Sequence, residues 1–163
     1  MGQRVKLIIY PLIIYLIGVT AYTVYRYKME LSEKLREIDH RLLIGAKQIK
    51  FILPGDFPSR CKAKDSISRD EHVNNMERLN KYVNAGNYEY FYTIHIIAKE
   101  MCYTSTSYAE DDDPEAEENA YAYSLKESGE SHYDHILSIF DTDEAKFFNN
   151  VDQWGHHRSC MIR

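Results

Sequence analysis

An α+β fold hung from an N-terminal membrane helix is what this sequence predicts, and three observations predict it. The run LIIYPLIIYLIGVTAYTVY, residues 7–25, holds no charged side chain. Two later stretches repeat apolar residues at helical spacing, and beyond Gly86 the pattern turns into aromatic and β-branched runs. Helices set against a mainly antiparallel sheet make an α+β domain. The predicted division is residues 1–27 for a short tail and anchor, and residues 28–163 for one soluble domain.

At about 1.5 Å of rise per residue, residues 7–25 match the roughly 30 Å of hydrocarbon in a bilayer. Tyr10, Tyr22, Tyr25 and Tyr27 lie towards the ends, where amphipathic rings favour the headgroup level. Pro11 is expected in the first turns, where a missing N–H matters least. The segment TAYTVYRYK offers no small-x-small cleavage site, so an uncleaved anchor is expected rather than a signal peptide. Arg26, Lys28, Lys34, Arg36 and Arg41 follow the span and only Arg4 and Lys6 precede it. Counted alone, those charges place the larger domain in the cytoplasm.

No proline interrupts residues 25–53, and Leu35, Ile38, Leu42, Ile49 and Leu53 form an apolar stripe. One helix continuing out of the membrane is expected, its stripe serving a sheet or a second copy of the chain. PGDFP, residues 54–58, ends it. A second helix starts at Ser68, with Glu71 completing a capping box. Val73, Met76, Leu79 and Val83 are its expected buried face, and Gly86 its close.

YEYFYTIHIIA, residues 88–98, and MCYTSTSY, residues 101–108, read as a hairpin turning at Lys99-Glu100. Residues 109–119, AEDDDPEAEEN, lack the alternating ligands and glycine of a calcium loop and read as a solvated loop. Helical pieces are expected near residues 120–126 and 133–140. Two last strands, Lys146–Asp152 and residues 157–162, are expected to turn at Trp154-Gly155.

Composition narrows the function. A net charge of -5 with no basic stripe argues against nucleic acid. Cys61, Cys102 and Cys160 are too few for a disulfide framework or a CxxC metal site, although one Cys102–Cys160 bridge is open. His132 and His135 stand three apart, and His156-His157 lie near Asp152. Adjacent histidines in a strand point to opposite faces, so no metal site is expected. No Gly-rich phosphate loop, GxSxG or HExxH is present, so neither an enzyme nor a cofactor is expected. A purely structural membrane-anchored interaction protein, or a non-signalling gene fragment, remains the alternative to a ligand-binding domain.

Several segments, in order, carry a resemblance: IDHRLLIGAKQI in the long helix, YFYT at residues 90–93, YTSTS at 103–107, and DQWGHHRS at 152–159. The chain resembles the extracytoplasmic PAS-like sensor domains, called Cache or PDC domains, of bacterial diguanylate cyclases, histidine kinases and chemoreceptors. The resemblance implies a single-pass protein of the bacterial inner membrane with its C-terminal domain outside the cytoplasm, against the charge count. It also implies that relatives continue through further strands, a second membrane helix and an output domain. On that reading the chain stops short of them, and its last strand lacks a neighbour. The soluble portion is then expected to be poorly stable or self-associating.

A pocket on one face of the sheet is implied as well, for a small ligand such as an amino acid or carboxylate. By position its candidates are Tyr92, Tyr103, Ser105, Asp152, Trp154 and Arg158. Arg158 would clamp a carboxylate and Asp152 would accept from an amine. The plainer expectation is that Asp152 and Arg158 pair across their turn while Trp154 plugs the core.

Overall fold

The computed structural model describes residues 3–63, 66–97, 100–108, 139–152 and 155–163. It combines helices with two small antiparallel sheets behind a long apolar N-terminal helix. Compactness divides the chain into two units, Met1–Arg41 and Leu42–Arg163.

Helix α1, Gln3–Ile52, runs unbroken through 50 residues, about 75 Å at the rise of an α-helix. Because it starts at Gln3, Pro11 sits in the third turn, past the residues whose N–H groups have no intrahelical partner. Its ring therefore leaves the Leu7 carbonyl without its intrahelical donor. In the first unit most of the described apolar side chains of α1 are exposed, and the helix is long and apolar enough to cross a membrane. Thr23 hides its hydroxyl in this run by donating to the Val19 carbonyl at 2.9 Å. Exposed ion pairs begin immediately after it, Arg26–Glu30 and Lys34–Glu37, each at 3.2 Å.

The second unit is built round Leu53, Phe57, Cys61, Ile67, Leu79, Val83 and Phe91, with Ile49 and Ile52 packed against them. Thus the PGDFP segment does more than stop α1. It starts a short helix, α2, Phe57–Arg60, that drives Phe57 into the core. Arg60 then donates from Nε to Asp56 Oδ2 and from Nη1 to Glu71 Oε2, both at 2.8 Å. That fork holds α2 to the first turn of α3, Arg69–Gly86.

Only half of the expected capping box forms. The Ser68 hydroxyl accepts from the Glu71 N–H at 3.2 Å, but both Glu71 carboxylate oxygens accept from Arg60. The guanidinium gives the carboxylate two charge-assisted bonds between full charges, where the Ser68 amide would give it only one from a neutral donor. The buried face of α3 is His72, Asn75, Met76, Leu79 and Val83, with the expected Val73 only half-buried. Nor does Gly86 supply the left-handed close. Asn87 does, at φ 51° and ψ 48°. Gly86 is the last helical residue, and the Tyr88 ring lies so close over it that an added Cβ would collide with Tyr88 Cε2.

Strand β1 is Tyr92–Ile97 and β2 is Glu100–Thr106. The first strand starts four residues later than expected. Tyr88 and Phe91 are aromatic not to fill a strand but to pack with Tyr82, at ring separations of 5.8 Å and 5.4 Å from it. Ile97 pairs with Glu100, so the connection is residues 98–99, one position earlier than predicted. The second hairpin joins β3, Lys146–Asp152, to β4, Gly155–Met161. Asp152 pairs with Gly155, so β4 begins two residues before the expected 157. Among the described residues the two hairpins form separate ladders. Cys102 and Cys160, one on each hairpin, are not bridged. The loop expected at 109–119, the helical piece at 120–126 and most of that at 133–140 lie outside the described residues.

Candidate functional site

Helix α3 packs against β2, and the layer between them is unusually polar. Thr104 and Ser105 on β2, Ser107 just beyond it, and His72 and Asn75 on α3 are all buried. A β-bulge decides which of these groups share a face. Thr93 pairs with Ser105 but Ile94 pairs with Tyr103, so Thr104 is the extra residue.

Strand alternation sets Tyr92 on the face opposite Thr93 and Ser105. Tyr103 joins Tyr92, their rings meeting edge-on at 5.1 Å and 86°. Tyr103 and Ser105 are two residues apart and would share a face in a regular strand; the bulge separates them. Hence Tyr92 and Tyr103 form an aromatic pair on one side, and Ser105 belongs to the polar layer on the other.

Most of that layer is paired. The hydroxyls of Thr93 and Thr104 meet at 2.9 Å. Ser107 accepts the Phe91 N–H at its hydroxyl at 2.9 Å, while its own N–H donates to the Phe91 carbonyl at 2.7 Å. Burial pushes the Cys61 thiol up to about 11, and Thr104 bonds to it, so it is a packed, unreactive group. Burial also lowers the His95 pKa, and its ring meets Phe57 edge-on at 6.5 Å. The Tyr92 phenol is raised for the same reason.

Two atoms break the pattern. Asn75 Nδ2 and Ser105 Oγ are buried without a hydrogen-bond partner. A buried polar atom left unpaired costs about 1–3 kcal/mol, so such groups mark places where a water or a ligand group completes the bonding.

The remaining candidates belong to the other hairpin. Arg158 pairs in register with Asn149 and donates from Nη1 to its Oδ1 at 3.1 Å. Its guanidinium also lies 5.7 Å from the centre of the Phe147 ring. Asp152 pairs with Gly155, with the Val151–His156 and Asn150–His157 rungs intervening. Trp154 lies outside the described residues, so its expected place in the core or in a pocket is not seen. His157 Nδ1 is 2.8 Å from Glu89 Oε2, which ties β4 to the connection between α3 and β1. Among the described residues no group of three or more His, Cys, Asp or Glu is placed to hold a metal ion, and His132 and His135 fall outside them.

The structure therefore brings Tyr92 and Tyr103 together, sets Ser105 behind them, and leaves Arg158 and Asp152 on a different ladder. Asn75 was missed because an asparagine breaks an apolar stripe. Its signal was position alone, three residues after His72 and four before Leu79. Thr104 had no signal, since a bulge belongs to a pairing and not to one strand.

Comparison with family models, with curated proteins and with solved structures finds no match for this chain.

Proposed function

We propose that this chain is a membrane-anchored, non-catalytic sensor domain of bacterial signal transduction. It sits as a single-pass protein in the inner membrane. Its C-terminal α+β unit, of PAS-like kind, faces away from the cytoplasm and binds a small polar ligand. The observation that carries the reading is the continuity of α1. A charge-free apolar run, unburied along its length, lies on the same helix whose far end contributes Ile49 and Ile52 to the packing of the second unit. A membrane-spanning run and a contribution to a folded core, both made by one helix, suit a protein that works at a membrane surface.

The ligand reading is supported by Ser105 and Asn75. A hydroxyl and an amide donor with no partner of their own suit an acceptor such as a carboxylate. Tyr92 and Tyr103 pack against each other on the opposite face of the hairpin and take no part in this site. Arg158 is engaged on its own hairpin and is not needed for this site.

The test is a thermal-shift screen of the full chain in detergent against amino acids and small carboxylates. A binder raises the melting temperature by mass action on the native state. The rise should disappear in Ser105→Ala. A panel in which no compound shifts the melt, or a shift that Ser105→Ala leaves intact, would end this reading of the site.

A further inference from the structure

Three rings grip the last turns of α1. Phe91 and Tyr88 close over Gly45, where a Cβ would stand 2.7 Å from Phe91 Cζ and 2.9 Å from Tyr88 Cζ. Tyr82 lies against both rings, 5.4 Å from Phe91 and 5.8 Å from Tyr88, and its hydroxyl donates to Gln48 Oε1. This clamp and the buried polar layer share their supports. Tyr82 follows Asn75 by seven residues, two turns along the same side of α3. Phe91 is tied to Ser107, two residues beyond Ser105, through the Ser107 hydroxyl at 2.9 Å and the Ser107 N–H at 2.7 Å. Thus α3 carries one orphan atom, Asn75 Nδ2, and one ring of the clamp. Strand β2 carries the other orphan atom, Ser105 Oγ, and the segment just past it holds a second ring.

Both orphan atoms work against the closed layer. Asn75 and Ser105 are each 1% exposed, and a polar atom kept from water without a partner costs free energy. Moving α3 off β2 would hydrate both atoms at the expense of apolar contact. The same movement draws Tyr82 away from Gln48 and Phe91, and so loosens the grip on Gly45. We propose that α3 and β2 form a latch on α1, which hydration of Asn75 and Ser105 opens and an acceptor bonded to both atoms closes. The opening rests on those two atoms alone; its control by a ligand rests on the reading of the site given above. An acceptor that fits only the closed arrangement shifts the population towards it. By linkage, whatever loosens the rings also weakens the site.

The test is amide exchange of the full chain in detergent, which reads local opening. Residues 42–52 are compared with Lys146–Asp152 and Gly155–Met161. Ser105→Ala removes one orphan atom without adding bulk, and should slow exchange over residues 42–52 several-fold with no ligand present. Tyr82→Phe keeps the ring and loses the bond to Gln48. It should speed exchange over residues 42–52, and in its presence Ser105→Ala should have a smaller effect than in the parent. Acetate and glycine at millimolar concentration are the probes of control. At least one should slow residues 42–52 in the parent and not in Ser105→Ala. Exchange over residues 42–52 that Ser105→Ala leaves unchanged, or a slowing shared equally by the β3–β4 hairpin, would overturn the latch and leave the ligand reading to its thermal-shift test. A Ser105→Ala effect with no response to either probe would keep the latch and overturn its control by a ligand.

Discussion

Gly45 offers a perturbation whose sign distinguishes local propensity from packing. In a helix interior, alanine in place of glycine is favoured by about 1 kcal/mol. In this protein the added Cβ would stand 2.7 Å from Phe91 Cζ and 2.9 Å from Tyr88 Cζ. Neither ring is loose. They meet each other at 4.8 Å and 64°, and Phe91 is also held against Tyr82 at 5.4 Å. Moving one therefore disturbs three, and overpacking of this kind costs about 1–3 kcal/mol. Set against the gain in helix propensity, Gly45→Ala should destabilise the protein by about 1 kcal/mol, a fall of about 2–5 °C in melting temperature for a domain of this size. Thermal unfolding of the full chain in detergent, followed by near-ultraviolet circular dichroism, reads the change. Phe91→Leu should make the added methyl less costly, so the double variant should lose less than the sum of the two single losses. Gly18, with open space about its Cβ position, is the control and should tolerate alanine. A Gly45→Ala protein that melts at or above the parent temperature would refute the close approach of α1 to those rings.

Three further outcomes are expected. Arg60 holds the Glu71 carboxyl below its usual range, so the linkage is present above the unfolded value of about 4.3 and lost as pH falls through the folded one. Denaturant melts of Glu71→Gln and parent should differ at pH 7 and converge in acid; a difference independent of pH would discount the pair. Ser105→Ala removes an unpaired buried hydroxyl and should leave the ligand-free melt unchanged or slightly raised. Thr104→Val, which breaks bonds to Thr93 and Cys61, should lower it by about 1 kcal/mol; equal effects would mean that Ser105 is paired after all. His157→Ala removes the contact with Glu89 and should raise amide exchange in Lys146–Asp152 and Gly155–Met161 ahead of the β1–β2 hairpin; uniform exchange would contradict that tie.

Much of the chain's organisation could be read from residue order, because it depends on neighbours in sequence. A charge-free run of 19 residues can only be satisfied in hydrocarbon or deep in a core. The Ser68 cap, the apolar positions Met76, Leu79 and Val83, and the two β-rich pairs of segments all depend on contacts within a few residues, and each appears where its pattern lies. The tertiary structure decided what depends on a distant partner. Arg60, eleven residues away, takes the carboxylate that Glu71 would have turned back to its own cap. The Tyr88 ring leaves no room for a side chain at residue 86, and the left-handed turn falls on Asn87. Pairing with Thr93 and Ile94 makes Thr104 a bulge, and that one inserted residue puts Tyr103 and Ser105 on opposite faces. A strand's alternation is written in its own sequence, but its register is not, since register is a property of two strands and of what covers them.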